Sequence, residues 1–494
     1  MPHTEAEPHV AHGHAPNRFA VVSTPERFGD DGTLKGRGVT IAFLDSGFHP
    51  HQDLVQPTNR IVAYHDVHEP GRDLASGDAP QPDEWHGTQT CVAAAGSGFL
   101  SDGFYRGLAS EARIVLVKVG RGGRISDAAI EKGLTWVLEN QDRLGIRVVS
   151  MSLGGDLDRP LGESRVNQLA EEAVRRGMVL VAAAGNSGCS AQNRVLPPAT
   201  APSVIAVGGY DDGNDPERRN LALYCSSFGV TADGLTKPEI IAPAMWVAAP
   251  ILPGTPAYAR AQALAELAAM PDNRLAAAIR DVGPETIGLP PDDWPGSDAL
   301  RAWIDGRLRV EKIIGAHYQH VDGTSFAAPI VASVVAQMLE ANPGLEPAAV
   351  KRILLQTAEA VGTLPAIRQG YGLLDARAAV AVARAERHGR AAAGIAGPRL
   401  ENGRLIFRLH DDRASAVAVA GDFNRWVPAP LQAVEEGSWR LDLPSPPEGR
   451  YLYKLLVDGA RWSADPGNGV REPDPYGGVN SVLTVKPVAG ARIE

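Results

Sequence analysis

The stretch GVTIAFLDSG, Gly38 to Gly47, limits the fold more than any other part of the chain. Its apolar residues run without the polar alternation of a half-solvated strand, so both faces must be covered. A strand covered on both faces belongs to a parallel sheet flanked by helices. A second such run, VLVAAAGNSG, Val179 to Gly188, ends in a glycine turn. Sites of α/β sheets collect beyond the carboxyl ends of the strands. Asp45 closes the first run and Asn186 stands in the turn after the second.

Two further motifs carry complementary chemistry. His86 opens WHGTQTCVAAAG, where Gly87 and the small residues Thr88, Ala93, Ala94 and Ala95 let a helix pack closely behind the imidazole. Ser325 lies in VDGTSFAAP at the head of an apolar helix, where the positive end of the dipole favours developing negative charge. A hydroxyl nucleophile needs a base to take its proton and an acid to orient that base. Asp45, His86 and Ser325 supply that set, and the side-chain amide of Asn186 is a candidate oxyanion donor. Taken singly, each has a plainer reading: a turn cap, a surface histidine, a helix N-cap and a turn asparagine. All four plain readings would have to hold together.

The chain has 494 residues, against roughly 150 for a single domain, so more than one folded unit is expected. A hydrophobic content of 44% with 21% charged residues describes an ordinary globular protein, and the net charge of -10 argues against a nucleic-acid partner. No apolar run of about 18 residues stands out, so no membrane helix or membrane partner is expected. Cys91, Cys189 and Cys225 read as unpaired thiols suited to a reducing compartment, and a cytoplasmic location is expected. Residues 1–35 read as a disordered tail holding four early histidines (His3, His9, His12, His14), with neither a secretory leader nor a folded pro-domain ahead of Gly36.

Residues Gly36 to about Arg384 resemble a subtilisin-type serine peptidase. GRGVTIAFLDSG, HPHQDL, HGT, VVSMSLGG, AAAGNSG, PSVIAVGG, KPEIIAPA, DGTSFAAPIVA and GYGLLDARAA occur in family order. The resemblance implies an endopeptidase with Asp45, His86 and Ser325 as triad and Asn186, with the Ser325 backbone N–H, as oxyanion donors. It implies polypeptide substrates bound as an added strand between an edge at Gly122, Gly123 and Ser126 and another at Ser152, Leu153 and Gly154. Val195 falls, by gap-free counting from Asn186, where many relatives place a pocket-lining glycine. A shallow pocket for small or medium P1 side chains follows; efficient cleavage after Phe or Tyr would exclude it. Gln89 stands where the family usually repeats a histidine, a difference expected to affect helix packing. Asp53 matches a position that often ligates calcium, but the calcium loop of the family is not recognisable in GSGFLSDGFYRG. Calcium takes about six to eight oxygens, so no cofactor is required by this reading and metal is none apart from that single candidate ligand.

Residues 251–318 replace a short family loop and contain two stretches of helical spacing, AYARAQALAELAAM and SDALRAWIDGRLRVEKII, around the proline-rich GLPPDDWPGS. Because the insertion runs straight into the Ser325 motif, its far end must lie near the active site, either as a lid over the cleft or as a plain surface excursion. For a lid, deleting residues 255–312 should raise activity on large unfolded proteins, and an unchanged substrate range would discard it.

Residues 385–399 read as a linker. Beyond it RLIFRLH, AVAVAGDF, SWRLDLP, RYLYKLLVDG, ARWSADP and NSVLTV are short strands with turn residues between them, the pattern of an all-β, immunoglobulin-like sandwich. VAGDFNRW, GRYLYKLLVDGARWSADP and VNSVLTV resemble the glycogen-binding domain of the AMP-activated kinase β-subunit and related starch-binding domains. That resemblance places sugar contacts on Trp426, Lys454, Trp462 and Asn480 and names glycogen or another α-glucan as partner. Indoles stack on glucose faces while ammonium and amide groups bond the hydroxyls. Core aromatics or a protein-binding module are the competing readings. A scaffold with a silent peptidase domain is the alternative for the whole chain, and an amylolytic enzyme is excluded because a glucosidase barrel needs about 250 further residues.

Overall fold

The computed structural model describes residues 20–74, 80–290, 296–387, 398–401, 403–411, 414–435, 437–468, 470–474 and 478–485. The first apolar run forms strand β1, Thr40–Asp45, buried at every position. It is followed in the chain by β2 (Ile61–Asp66), β3 (Arg113–Lys118), β4 (Ile146–Met151), β5 (Val179–Ala183) and β6 (Ile205–Asp211), and the strand Ile240–Pro243 lies at one edge. These strands pair in parallel in the order Ile240–Pro243, β6, β5, β4, β1, β3, β2. One short antiparallel strand, Ala222–Leu223, joins β6.

Alternate residues of each strand feed two separate apolar clusters. Ile41, Phe43, Ile114, Leu116, Val179 and Val181 face helices Trp85–Ala95 and Thr324–Ala341. Ala42, Leu44, Val115, Val117, Leu180 and Ala182 face helices Asp127–Leu144 and Arg165–Arg175. This double coverage explains why the strand interiors are mostly apolar, with most of the polar residues at the strand ends. The chain winds outward from β1 in both directions, so β3 and β4 flank it, and the reversal opens a crevice at the carboxyl end of β1 where Asp45 sits.

Several expectations need correction. Residues 20–35 are not a disordered tail. Helix Thr24–Arg27 is N-capped by Ser23, and Arg27 forms a buried ion pair with Asp212 while also donating to the carbonyls of Val22 and Trp246. A guanidinium with all these acceptors is held inside the fold. The early histidines lie outside the described residues. The helix Thr324–Ala341 is apolar and long enough to match a membrane span, yet 89% of it is buried in the domain. Cys189 and Cys225 are joined in a disulfide with Cα atoms 5.2 Å apart; Cys91 alone is a free, buried thiol. The cysteines therefore carry no argument for a reducing compartment.

The insertion hangs from an antiparallel pair, Val247–Pro250 with Tyr318–Val321. Helices Pro256–Ala269 and Ser297–Val310 match the two expected stretches, and Asp272–Val282 and Pro284–Ile287 add two more. They enclose their own apolar core around Leu264, Leu267, Leu275, Ile279, Leu300 and Ile304. Arg301 ties the bundle by donating to the carbonyls of Leu267, Ala268 and Met270 at the end of the first helix.

The expected linker is shorter than 385–399, because helix Ala376–Arg387 runs into it and strand Arg399–Glu401 begins at its end. Residues 388–397 lie outside the described set. Beyond it, two antiparallel sheets face one apolar core that includes Leu405, Phe407, Val419, Tyr453, Leu455 and Leu483. The six expected strand segments all form strands. The module also docks on the α/β domain. Tyr371 donates its hydroxyl to the carbonyls of Asp465 and Asn468, and the Arg471 guanidinium lies 3.0 Å from the centre of its ring.

Candidate active site

Asp45 is 1% exposed at the end of β1. Its Oδ1 accepts from Ser46 N at 2.6 Å and from His86 Nδ1 at 2.7 Å, and its Oδ2 accepts from the Thr90 hydroxyl at 3.0 Å. The carboxylate thus fixes the imidazole with Nδ1 protonated and leaves Nε2 as an acceptor. Gly87 allows this approach: a Cβ there would stand 2.3 Å from Gly47 O and 2.9 Å from the Asp45 Cβ. Burial acts against the charged imidazole, but the charge and hydrogen bond of Asp45 together outweigh it, and the His86 pKa is raised above 6.5.

The His86 ring lies 5.9 Å from that of Phe326, over the first turn of helix Thr324–Ala341, which carries Ser325 as its second residue. Asn186 reaches the same turn from the loop after β5. Its Oδ1 accepts from both the backbone N–H and the hydroxyl of Thr324, each at 2.9 Å. Two donors on the oxygen settle the orientation of the amide and leave Nδ2 to donate elsewhere. Gly323, at φ 140°, has no side chain, and the point where its Cβ would stand lies 3.5 Å from Asn186 Nδ2 and 3.7 Å from Ser325 N. The amide of Asn186 and the backbone N–H of Ser325 thus lie on the same side of Gly323.

The two expected substrate edges flank this centre. Val119 N donates to Asp45 O, and the following Gly120 packs on Ser46 so closely that a Cβ would meet its carbonyl at 2.4 Å. Next comes a tight turn in which Gly122 and Gly123 have left-handed φ values of 57° and 74°. The Ser126 hydroxyl accepts from Ala129 N and so caps helix Asp127–Leu144. On the other edge Ser152 donates its hydroxyl to Ser325 O at 2.7 Å, Leu153 is buried, and Gly154 is exposed. Gly155 N bonds to Pro197 O at 2.7 Å, bringing residues 195–198 alongside.

Val195 is 6% exposed and packs in the core cluster with Leu153 and Ala199; the next residue, Leu196, stands with its Cβ 3.5 Å from where a Cβ of Gly154 would lie. Thr90 and Thr324 are contacts of the site that sequence reasoning missed. Thr90 lies four residues after His86 on one helix face, a spacing that could have indicated it; nothing local marks Thr324 as the group that orients Asn186.

The Asp53 carboxylate does not fit calcium. Its Oδ2 accepts from the Tyr318 hydroxyl at 2.7 Å and its Oδ1 from Leu100 N at 3.1 Å, and no second acid joins it within any metal-type cluster among the described residues. Burial raises its pKa, so the site favours hydrogen bonding to a phenol over holding a divalent ion. Gln89 donates to Pro250 O at 2.9 Å, a packing contact with the base of the insertion.

In the C-terminal module Trp426 and Trp462 are 37% and 47% exposed and are not core aromatics. Trp426 Nε1 donates to Asp422, whose other oxygen accepts from Leu452 N. Trp462 pairs with Leu456, two residues beyond Lys454 on the outward face of strand Gly449–Val457. Lys454 forms an ion pair with Asp474, and Asn480, on the neighbouring strand, is buried.

A family model for the subtilase family matches residues 36–372, and the chain belongs to that family. Serine protease AprX of Bacillus subtilis is 32% identical over 330 residues, covering 65% of this chain and 61% of that protein. Subtilisin DY of Bacillus licheniformis is 32% identical over 41% of this chain and 66% of its own length. The chain therefore spans less than two thirds of these relatives. Among solved structures, fervidolysin from Fervidobacterium pennivorans, a keratinolytic enzyme related to subtilisin, aligns over 87% of this chain and 54% of its own, at TM-score 0.51 and 20% identity. That likeness bears on the fold.

Proposed function

We propose that the protein is a serine endopeptidase acting on polypeptides. His86 removes the Ser325 hydroxyl proton as the oxygen attacks a scissile carbonyl; Asn186 Nδ2 and Ser325 N hold the resulting oxyanion, and His86 then protonates the leaving amine. The observation that carries this reading is the 2.7 Å bond of the buried Asp45 carboxylate to His86 Nδ1, with the His86 ring beside that of Phe326, the residue after Ser325. A silent scaffold would have no need of a buried carboxylate aligning an imidazole. Hydrolysis of denatured casein by the wild type, absent in Ser325→Ala, tests the proposal; equal rates would end it. The P1 preference for small or medium side chains, assigned to Val195, is part of the same proposal.

The second part of the proposal is that the C-terminal module is an immunoglobulin-like sandwich that binds α-glucan and carries the peptidase to glycogen. Support comes from two exposed indoles, one of them held in place by Asp422. Each stacked indole is expected to contribute an apolar platform while Lys454 and Asn480 lie within the same sheet. Co-sedimentation with glycogen should pellet the full chain, and Trp426→Ala with Trp462→Ala should abolish this while leaving casein hydrolysis unchanged. Failure of the wild type to pellet removes glucan targeting without touching the peptidase reading.

A further inference from the structure

Asn186 sits on an exposed loop, yet an oxyanion donor must be held in place before the charge develops. Thr324 fixes its amide oxygen; the loop itself is fastened along its other side to residues 225–227. Ser227 N donates to Gly185 O at 2.8 Å, Ser227 Oγ accepts from Ser187 N at 3.2 Å and pairs with the Ser187 hydroxyl at 2.8 Å, and Gly188 N donates to Cys225 O at 3.0 Å. The fit is close: a Cβ on Gly188 would stand 1.8 Å from Ser226 O, and one on Gly185 would stand 2.7 Å from Ser227 Oγ. The clamping segment is itself anchored to the sheet, because Ser226 Oγ accepts from Gly209 N at 2.6 Å and Tyr224 N donates to Gly209 O. The Cys189–Cys225 disulfide closes this zipper three residues after Asn186.

We propose that Ser227 and the Cys189–Cys225 disulfide are positioning elements for Asn186, and that opening the disulfide lowers turnover while the domain stays folded. The inference rests on Asn186 being an oxyanion donor. Cys189 is exposed and Cys225 partly so, which leaves the bond within reach of an external dithiol. One thiolate of that reductant attacks Cys189 Sγ and Cys225 leaves as thiolate; the second thiol then resolves the mixed disulfide. The reductant departs as its own disulfide, having supplied two electrons and two protons, and the protein gains two thiols. With the covalent tie gone, the loop around Ser187 and Gly188 depends on hydrogen bonds alone.

The test compares kcat and KM for a peptide substrate before and after dithiol treatment, with alkylation and mass measurement to count thiols and circular dichroism to follow folding. Reduction is expected to lower kcat about tenfold, a part of the roughly 100- to 1,000-fold carried by such a donor, with KM changed less than about twofold and full recovery on reoxidation. Cys189→Ser with Cys225→Ser should be permanently low and indifferent to dithiol, and Ser227→Ala should show the same split between kcat and KM. In Asn186→Ala the kcat is already low, and reduction should lower it no further, because the disulfide acts through that residue. Unchanged wild-type kcat after reduction, reduction that unfolds the domain, an additive loss in Asn186→Ala, or free thiols at both positions in protein prepared in air would each overturn the proposal. If Asn186→Ala itself keeps full kcat, the failure belongs to the oxyanion assignment.

Discussion

Ser325→Ala is expected to lower peptide hydrolysis by roughly a millionfold, the order found when a triad nucleophile is removed, and to abolish labelling by a fluorophosphonate. The magnitude follows from the division of labour at the site. In the proposed mechanism Ser325 supplies the attacking oxygen, while the proposed oxyanion donors, Asn186 Nδ2 and Ser325 N, survive the substitution, since the backbone N–H is unchanged in alanine. The variant should retain substrate affinity and fold. Ser325 lies at the second position of a helix whose remaining residues are almost all buried, and its own side chain supports none of the packing. Labelling of the wild type but not of the variant would identify an assembled nucleophile. Labelling of both would place the reactive hydroxyl elsewhere.

Asp45→Asn is expected to lower kcat by about 10⁴ and to move the acid limb of the kcat/KM profile to lower pH. Turnover needs neutral His86, so activity falls as pH drops through the His86 pKa, which lies above 6.5 in the native protein. Burial opposes the imidazolium, and the charge and hydrogen bond of Asp45 reverse that. Asparagine removes the charge and leaves the burial, so the imidazole should lose its proton at lower pH than before. The rate nevertheless falls, because the imidazolium formed during attack is no longer stabilised by a carboxylate at 2.7 Å. An unchanged acid limb would mean that Asp45 does not control His86. Thr90, whose hydroxyl oxygen lies 3.0 Å from both the other carboxylate oxygen and Gly87 O as alternative acceptors for its one proton, can turn to accept from the new amide and donate to Gly87 O, keeping the residue at position 45 oriented in the variant.

Much of this site was legible in the sequence because its groups sit where local rules put them. Asp45 ends an apolar run, Ser325 heads an apolar helix, and Asn186 follows a strand within a glycine turn. The period of the local pattern and the direction of the chain mark these positions, whereas their roles came from the motifs taken together in family order. The insertion helices and the six strands of the C-terminal module were legible for the same reason. Partners from distant segments were not legible: nothing near Thr324 in the chain records that it holds the Asn186 amide.

The sequence alone determined a two-faced parallel sheet, a second all-β unit, and an acid, a base and a nucleophile at ends of its elements. These are consequences of apolar periodicity and residue chemistry. Tertiary structure alone decided the rest. It joined Cys189 to Cys225 across 36 residues, ordered residues 20–35 around Arg27 and Asp212, replaced a metal ligand by the Tyr318 hydroxyl at Asp53 across 265 residues, and docked the β-module through Tyr371 and Arg471. The physical reason is common to all four. A charge, thiol or phenol takes whichever partner the fold delivers, and that partner comes from a distant segment whose position no local pattern records.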